Sequence, residues 1–381
     1  MRNLLVGNGI NIQFNKTDYT AQAIVLRILK NCDREDFPSA IIVNQPFLLK
    51  HYIGKLFLEA REAIEGKYDK FAFSSDERKS LESFKKKYKS KLSILRMTDI
   101  CFEDYYLIHD LACHKIKMGN PEQFYARESM RTAYLYAIYN DGKLNQLFTK
   151  YSEGFIDYLQ SFDNIFTTNY DTNIESAIEK EVFHIHGQFD KKSDVYNETS
   201  FRNQLPDCPI NNYKIDDRYF YLYSNALTTH CGAYKEFQIN QASAGNACVG
   251  KLAHAYKTDP SMKQVIESWI NDTNTLTSNL GYAVKLKVAN PELEFSDDYH
   301  FEKFKAIIGS LEILGLSPWN DFHIFDAIDS SDIDECVYYY FDESECDVIK
   351  YLLPRLSKKN SIVYKSAKEL WSGFDEKQNS F

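Results

Sequence analysis

The chain contains no C-x-x-C pair, although it carries eight cysteines in 381 residues. Cys32, Cys101, Cys113, Cys208, Cys231, Cys248, Cys336 and Cys346 lie far apart, which argues against a structural zinc site of the usual ligand spacing. An apolar run of the ~18 residues needed to cross a bilayer is also missing, and no signal-peptide pattern is found. Free thiols in a reducing cytoplasm are the expectation. Positive charge is in deficit: 45 Lys and Arg stand against 54 Asp and Glu, a net charge of −9. Nucleic-acid binders cluster cations, so this balance speaks against direct nucleic-acid binding. The one basic run, Lys85-Lys86-Lys87-Tyr88-Lys89-Ser90-Lys91, reads first as a solvated helix face.

What is present is core-forming material. Apolar residues make up 44% of the chain and aromatics 15%, spread along its whole length, so they read as core and interface filling. Asn3-Leu4-Leu5-Val6 is a short apolar run, as a buried parallel strand requires, and leads directly into Gly7-Asn8-Gly9. Residues 18–160 show helical spacing (Ala21, Val25, Ile28; Leu56, Ala60, Ala63, Ile64) and almost no strand signal, which predicts a helical insertion domain. Strand patterns resume at Asp163–Thr168 and Glu181–Gly187, with a helix over 172–180 between them. Residues 190–260 are polar and mixed, and read as a second insertion in which Arg218–Tyr223 has strand character. Strands at 311–315, 336–341 and 361–364 then alternate with helices at 319–327 and 344–353. This alternation predicts an α/β fold with a doubly wound, mostly parallel sheet formed by 1–17 and 161–381.

Four motifs fall at the C-terminal ends of these strands, where such sheets bind ligands. Gly7-Asn8-Gly9-Ile10-Asn11 permits a tight turn and close backbone approach to a diphosphate. The ordinary dinucleotide fingerprint fails, because Ile12 stands where a third glycine belongs and no acidic strand end follows ~20 residues on. Thr167-Thr168-Asn169-Tyr170-Asp171 closes a strand. Asp171 is a helix cap there, or else Asn169 and Asp171 serve a ribose or a water. In His184-x-His186-Gly187 the histidines share a face if the strand runs through both. No further ligand completes a metal set at a known spacing, so no metal is expected and His186 reads as a single general base. Gly315 and Ser317, in Leu314–Asp321, either cap a helix beginning near Pro318 or grip a phosphate.

Taken in order, Gly-x-Gly-Ile, Thr-x-Asn-x-Asp, His-Gly and Gly-x-Ser resemble the sirtuin family over residues 1–15, 163–190 and 308–342. The resemblance implies a sirtuin-like Rossmann variant with NAD as substrate. It implies that Asn169, His186 and Asp171 are catalytic, and that Gly7, Asn8, Gly9, Asn11, Thr167, Thr168, Gly315 and Ser317 hold the dinucleotide. The chain departs from sirtuin deacylases in lacking their zinc ribbon and their Arg-bearing run after the glycine loop, and in placing Thr168 where they have Gln. It is closer to the sirtuin-like NAD hydrolases of bacterial antiphage defence, in particular the subunit that pairs with a HerA-type ATPase. That likeness implies NAD depletion, a homo-oligomer and an ATPase partner. Two other functions fit parts of the pattern: a non-catalytic NAD or ADP-ribose sensor, and an abortive-infection nuclease, since such families share the Gly-Asn-Gly start. The net charge and the lack of a clustered carboxylate set speak against the nuclease.

Overall fold

The computed structural model describes residues 1–38, 46–119, 122–206 and 215–378; Cys208 and Pro209 lie outside them. Six strands form one sheet: β1 (Arg2–Val6), β2 (Asn164–Thr167), β3 (Phe183–His184), β4 (Ile308–Leu314), β5 (Asp332–Tyr340) and β6 (Ile362–Ser366). All pairings are parallel, and the spatial order is β3-β2-β1-β4-β5-β6. The chain thus builds outward from β1 in one direction, then returns to lay β4 on its other side. The crevice between β1 and β4 is the topological switch point, the usual ligand site in open parallel sheets.

Side-chain alternation on the central strands explains why both faces are covered. Leu5, Phe166, Leu311 and Ile313 point to one face, where they pack with Ile324, Phe325 and Ile328 of the helix Phe322–Ser330. Leu4, Val6, Ile165 and Leu314 point to the other, against Phe155 and Leu159 of the helix Glu153–Gln160 and Phe374 near the C-terminus. Leu4, Leu5 and Val6 are wholly buried. A strand buried on both faces is apolar wherever no partner satisfies a polar side chain, which is why Leu4–Val6 read as a continuous run, while the buried Asn3 bonds the Ile308 and Ser310 carbonyls.

Residues 21–160 contain helices and no strand among those described, and they bury a core of their own that extends to Tyr170, Phe189 and Tyr221–Tyr223. The connection from β3 to β4 continues past residue 260, through the helices Ala233–Thr258, Pro260–Trp269 and Thr275–Ala289. Arg218–Tyr223 is not a strand. It lies in a 3-10 segment, Asp217–Tyr223, in which Tyr221 stacks on Tyr139 with ring centroids 4.0 Å apart. Aromatic packing against the helical insertion overrides its local β preference. The helix after β4 begins at Phe322 rather than near Pro318. No described helix is long and apolar enough to cross a membrane.

Candidate active site

Gly7 and Gly9 are required because two loops touch backbone to backbone at the switch point. The Gly7 N–H donates to the Leu314 carbonyl at 3.0 Å, and the Gly9 N–H to the Gly315 carbonyl at 2.8 Å. A Cβ on Gly7 would lie 2.5 Å from the Gly315 oxygen, and one on Gly9 2.5 Å from Gly315 Cα. Gly315 answers with φ +71°, a conformation that side chains rarely adopt. These two amides are therefore taken by the neighbouring loop. What the glycines provide is the close approach that opens a cavity beside them.

That cavity has a volume of about 890 Å³, within the range of small-molecule and cofactor pockets. Asn8, Gly9, Asn11, Thr168, Asn169, Asp171, His186, Gly315 and Ser317 all line it. Residues from the ends of β1, β2, β3 and β4 thus meet in one space. Gly7 and Thr167 stand behind it. The Thr167 hydroxyl donates to the Val6 carbonyl at 3.2 Å and accepts from the Asn169 N–H at 3.0 Å, tying the β2 loop to β1.

Asn169 is nearly buried, at 9% exposure. Its carboxamide donates to the Gly7 carbonyl at 3.4 Å, and its own carbonyl bonds His184 Nδ1 at 2.8 Å. Asp171 is occupied on both oxygens. Oδ2 accepts from Asn11 Nδ2 at 2.7 Å, and Oδ1 accepts from the backbone and side-chain N–H groups of Asn173 at 3.2 and 2.6 Å. Burial pushes its carboxyl pKa up, against the pull of these bonds. Its evident work is to fix Asn11 and the start of the following helix. Ser317 is exposed and accepts from the Trp319 N–H at 3.4 Å, so it shapes a turn rather than capping a helix.

The two histidines of the His-x-His motif part company, because β3 ends at His184 and the backbone turns at Gly187 (φ +78°). His184 is held between the Asn169 carbonyl and Glu175 Oε1, the latter at 2.5 Å. Burial would lower its pKa, but the bond and charge of Glu175, together with the Asn169 carbonyl and Asp171, more than offset this and raise it. His186 faces the cavity, and its Nε2 lies 3.1 Å from His323 Nε2. Burial, with Lys235 nearby, pushes His186 well below the usual imidazole range, so it is neutral at pH 7 with a lone pair to offer. His323 Nδ1 is buried without a partner.

Sequence reasoning missed the wall opposite. Lys235, 2% exposed, bridges Glu103 Oε1 at 2.7 Å and Asp321 Oδ1 at 3.1 Å. Glu103 comes from the helical insertion, Lys235 from the β3–β4 connection and Asp321 from the loop after β4. All three line the cavity. Burial opposes charge on Lys235, yet the two carboxylates hold its pKa well above the usual value. Asp321 was in sight within the Leu314–Asp321 run; Glu103 and Lys235 carry no local signal. His186, Asp321 and His323 could offer a metal three ligand atoms within 4.8 Å of one another. Two features count against that fit: an ammonium already holds Asp321 Oδ1, and His323 Nδ1 lacks the acceptor that a ligating imidazole normally has. Comparison with protein-family models, with curated proteins and with solved structures returns no match.

Proposed function

We propose that the protein is a sirtuin-like NAD glycohydrolase, converting NAD and water to nicotinamide and ADP-ribose. One observation carries this reading: nine residues named from four separate motifs line a single cavity at the switch point of the parallel sheet.

The chemistry follows from the groups present. Nicotinamide in NAD is a cationic leaving group, so breaking its bond to C1′ returns an electron pair to the ring nitrogen and moves positive charge onto the ribose. The Gly7–Asn11 loop lets the diphosphate approach the backbone closely, while Gly315 and Ser317 border the adenosine side. Asn169, fixed from both ends, orients the ribose or the attacking water. As the water oxygen bonds to C1′, neutral His186 takes its proton. General-base help of this kind contributes ~10²–10⁴ in rate. By the same resemblance we place the chain in a homo-oligomer with a HerA-type ATPase, acting by NAD depletion in antiphage defence.

The test is incubation with NAD, with and without such an ATPase, and identification of the products by mass spectrometry. Wild type is expected to release nicotinamide and ADP-ribose. Asn169→Ala and His186→Ala are each expected to lose about 100-fold or more in rate while unfolding near the wild-type temperature. Normal turnover by either variant removes that residue from the mechanism. NAD binding with no release by wild type under either condition replaces the hydrolase with a sensor.

A further inference from the structure

Three buried carboxylates stand on the cavity wall, and they differ in what they have left to give. Glu103 spends Oε1 on Lys235 and Oε2 on the Cys231 thiol. Asp171 spends both oxygens on Asn11 and Asn173. Asp321, 8% exposed, spends Oδ1 on Lys235, and Oδ2 makes no hydrogen bond among the described residues. Asp321 lines the cavity together with His186. Its backbone lies in the left-handed region, φ +55°, which aspartate tolerates better than most residues.

The charge around it is unevenly shared. Glu103 and Asp321 meet the same ammonium, and burial pushes the Glu103 carboxyl up toward its neutral form. The adjacent His186 and His323 rings are both pushed toward the neutral form by burial, so they add no positive charge at pH 7. Burial would raise the Asp321 pKa, but Lys235 more than offsets it and keeps the carboxylate ionised. An ionised carboxylate with an oxygen to spare, in a low-dielectric wall, favours a positive ligand.

We propose that Asp321 is a further catalytic carboxylate of this cavity, selecting a cationic N-ribosylated heteroaromatic ring over a neutral one. The inference rests on the NAD reading above and narrows it to the oxidised dinucleotide. Asp321 stays ionised throughout. Positive charge begins on the pyridinium, passes to C1′ and the ring oxygen of the ribose as the C1′–N bond breaks, and disappears when the water oxygen bonds to C1′ and its proton leaves to His186. A fixed negative charge beside that path lowers the barrier without reorganising.

The experiment compares wild type with Asp321→Asn, which is isosteric and whose amide oxygen can still accept from Lys235. Calorimetric titration uses two probes, carbocyclic NAD (cationic ring, resistant to cleavage) and NADH (neutral ring). Wild type is expected to prefer the cationic probe by about tenfold or more, and the variant to bind both within about twofold of each other. In turnover of NAD, the variant is expected to lose about 10²-fold in kcat with a smaller change in KM. A thermal unfolding profile within a few degrees of wild type, read in parallel, shows that the loss is not misfolding. Unchanged probe preference in the variant, or kcat within about threefold of wild type, overturns the role of Asp321 and leaves the hydrolase standing. Wild type that binds neither probe and releases no nicotinamide overturns both.

Discussion

The two walls of the cavity are held together by different physics. The sheet wall is backbone: Gly7 and Gly9 donate into the loop after β4, and no room remains there for a side chain. The opposite wall is buried charge: one lysine from the β3–β4 connection binds a carboxylate from the helical insertion and another from the sheet. A backbone contact tolerates almost no substitution but is local. An ionic contact reaches across the fold, so it makes the cavity complete only when both insertions are docked. The sheet alone supplies the strand-end motifs, and the insertions decide the electrostatics of the cavity they line.

The largest effect is expected from breaking the charged wall. Lys235→Met leaves Glu103 and Asp321 buried against each other without their cation, and should cost about 3–5 kcal/mol in denaturant unfolding. If the loss is under about 1 kcal/mol, the triad is not the tie between insertions and sheet.

Between the walls sits the His186–His323 pair, which makes stability depend on pH. Burial pushes His323 from 6.5 down to about 4. The unfolded chain therefore takes up that proton first, and stability present above about pH 6.5 is lost as pH falls toward 4. The full share is about 3 kcal/mol for His323, and His186 shifts in the same direction. His184 works oppositely: its raised pKa adds stability below about 6.5 that is lost as pH rises through its folded value. Thermal unfolding between pH 7.5 and 4.5 should show net acid destabilisation, reduced in His323→Phe. Identical pH profiles for the two proteins would contradict the buried neutral pair.

A smaller loss is expected on the backbone wall. Gly315→Ala places a methyl 2.9 Å from the Ile10 nitrogen at φ +71°, costing about 1–3 kcal/mol. Unlike Lys235→Met, it should also displace the Gly7–Asn11 loop and weaken dinucleotide binding more than its stability cost alone implies. Equal binding by Gly315→Ala and wild type would show that the loop contact is structural only.

Much of the sheet was legible in the sequence because a parallel strand buried on both faces is mostly apolar, as Leu4–Val6 and Leu311, Ile313 and Leu314 show. The sheet-end motifs were legible because glycine, asparagine and histidine do not fall at strand ends without cause. Arg218–Tyr223 was misread because its alternating aromatics serve packing against Tyr139 rather than a ladder. His184 and His186 seemed paired until the strand proved to stop between them. Glu103 and Lys235 were invisible because their meaning comes from a contact 132 positions apart in sequence, and nothing near either residue marks it. Asp171 and Asp321 show the limit from the other side. Both are aspartates in loops that follow strands, and only the hydrogen-bond geometry separates the one that is fully engaged from the one with an oxygen to spare.

In the proposed complex, one pyridine dinucleotide spans these loops. The most direct measurement is a structure of the protein with carbocyclic NAD bound. The diphosphate is expected beside Gly9 and Ser317, the ribose within hydrogen-bond reach of Asn169, and the pyridinium between His186 and Asp321. A ligand seated elsewhere, or a cavity that stays empty at saturating ligand, contradicts it.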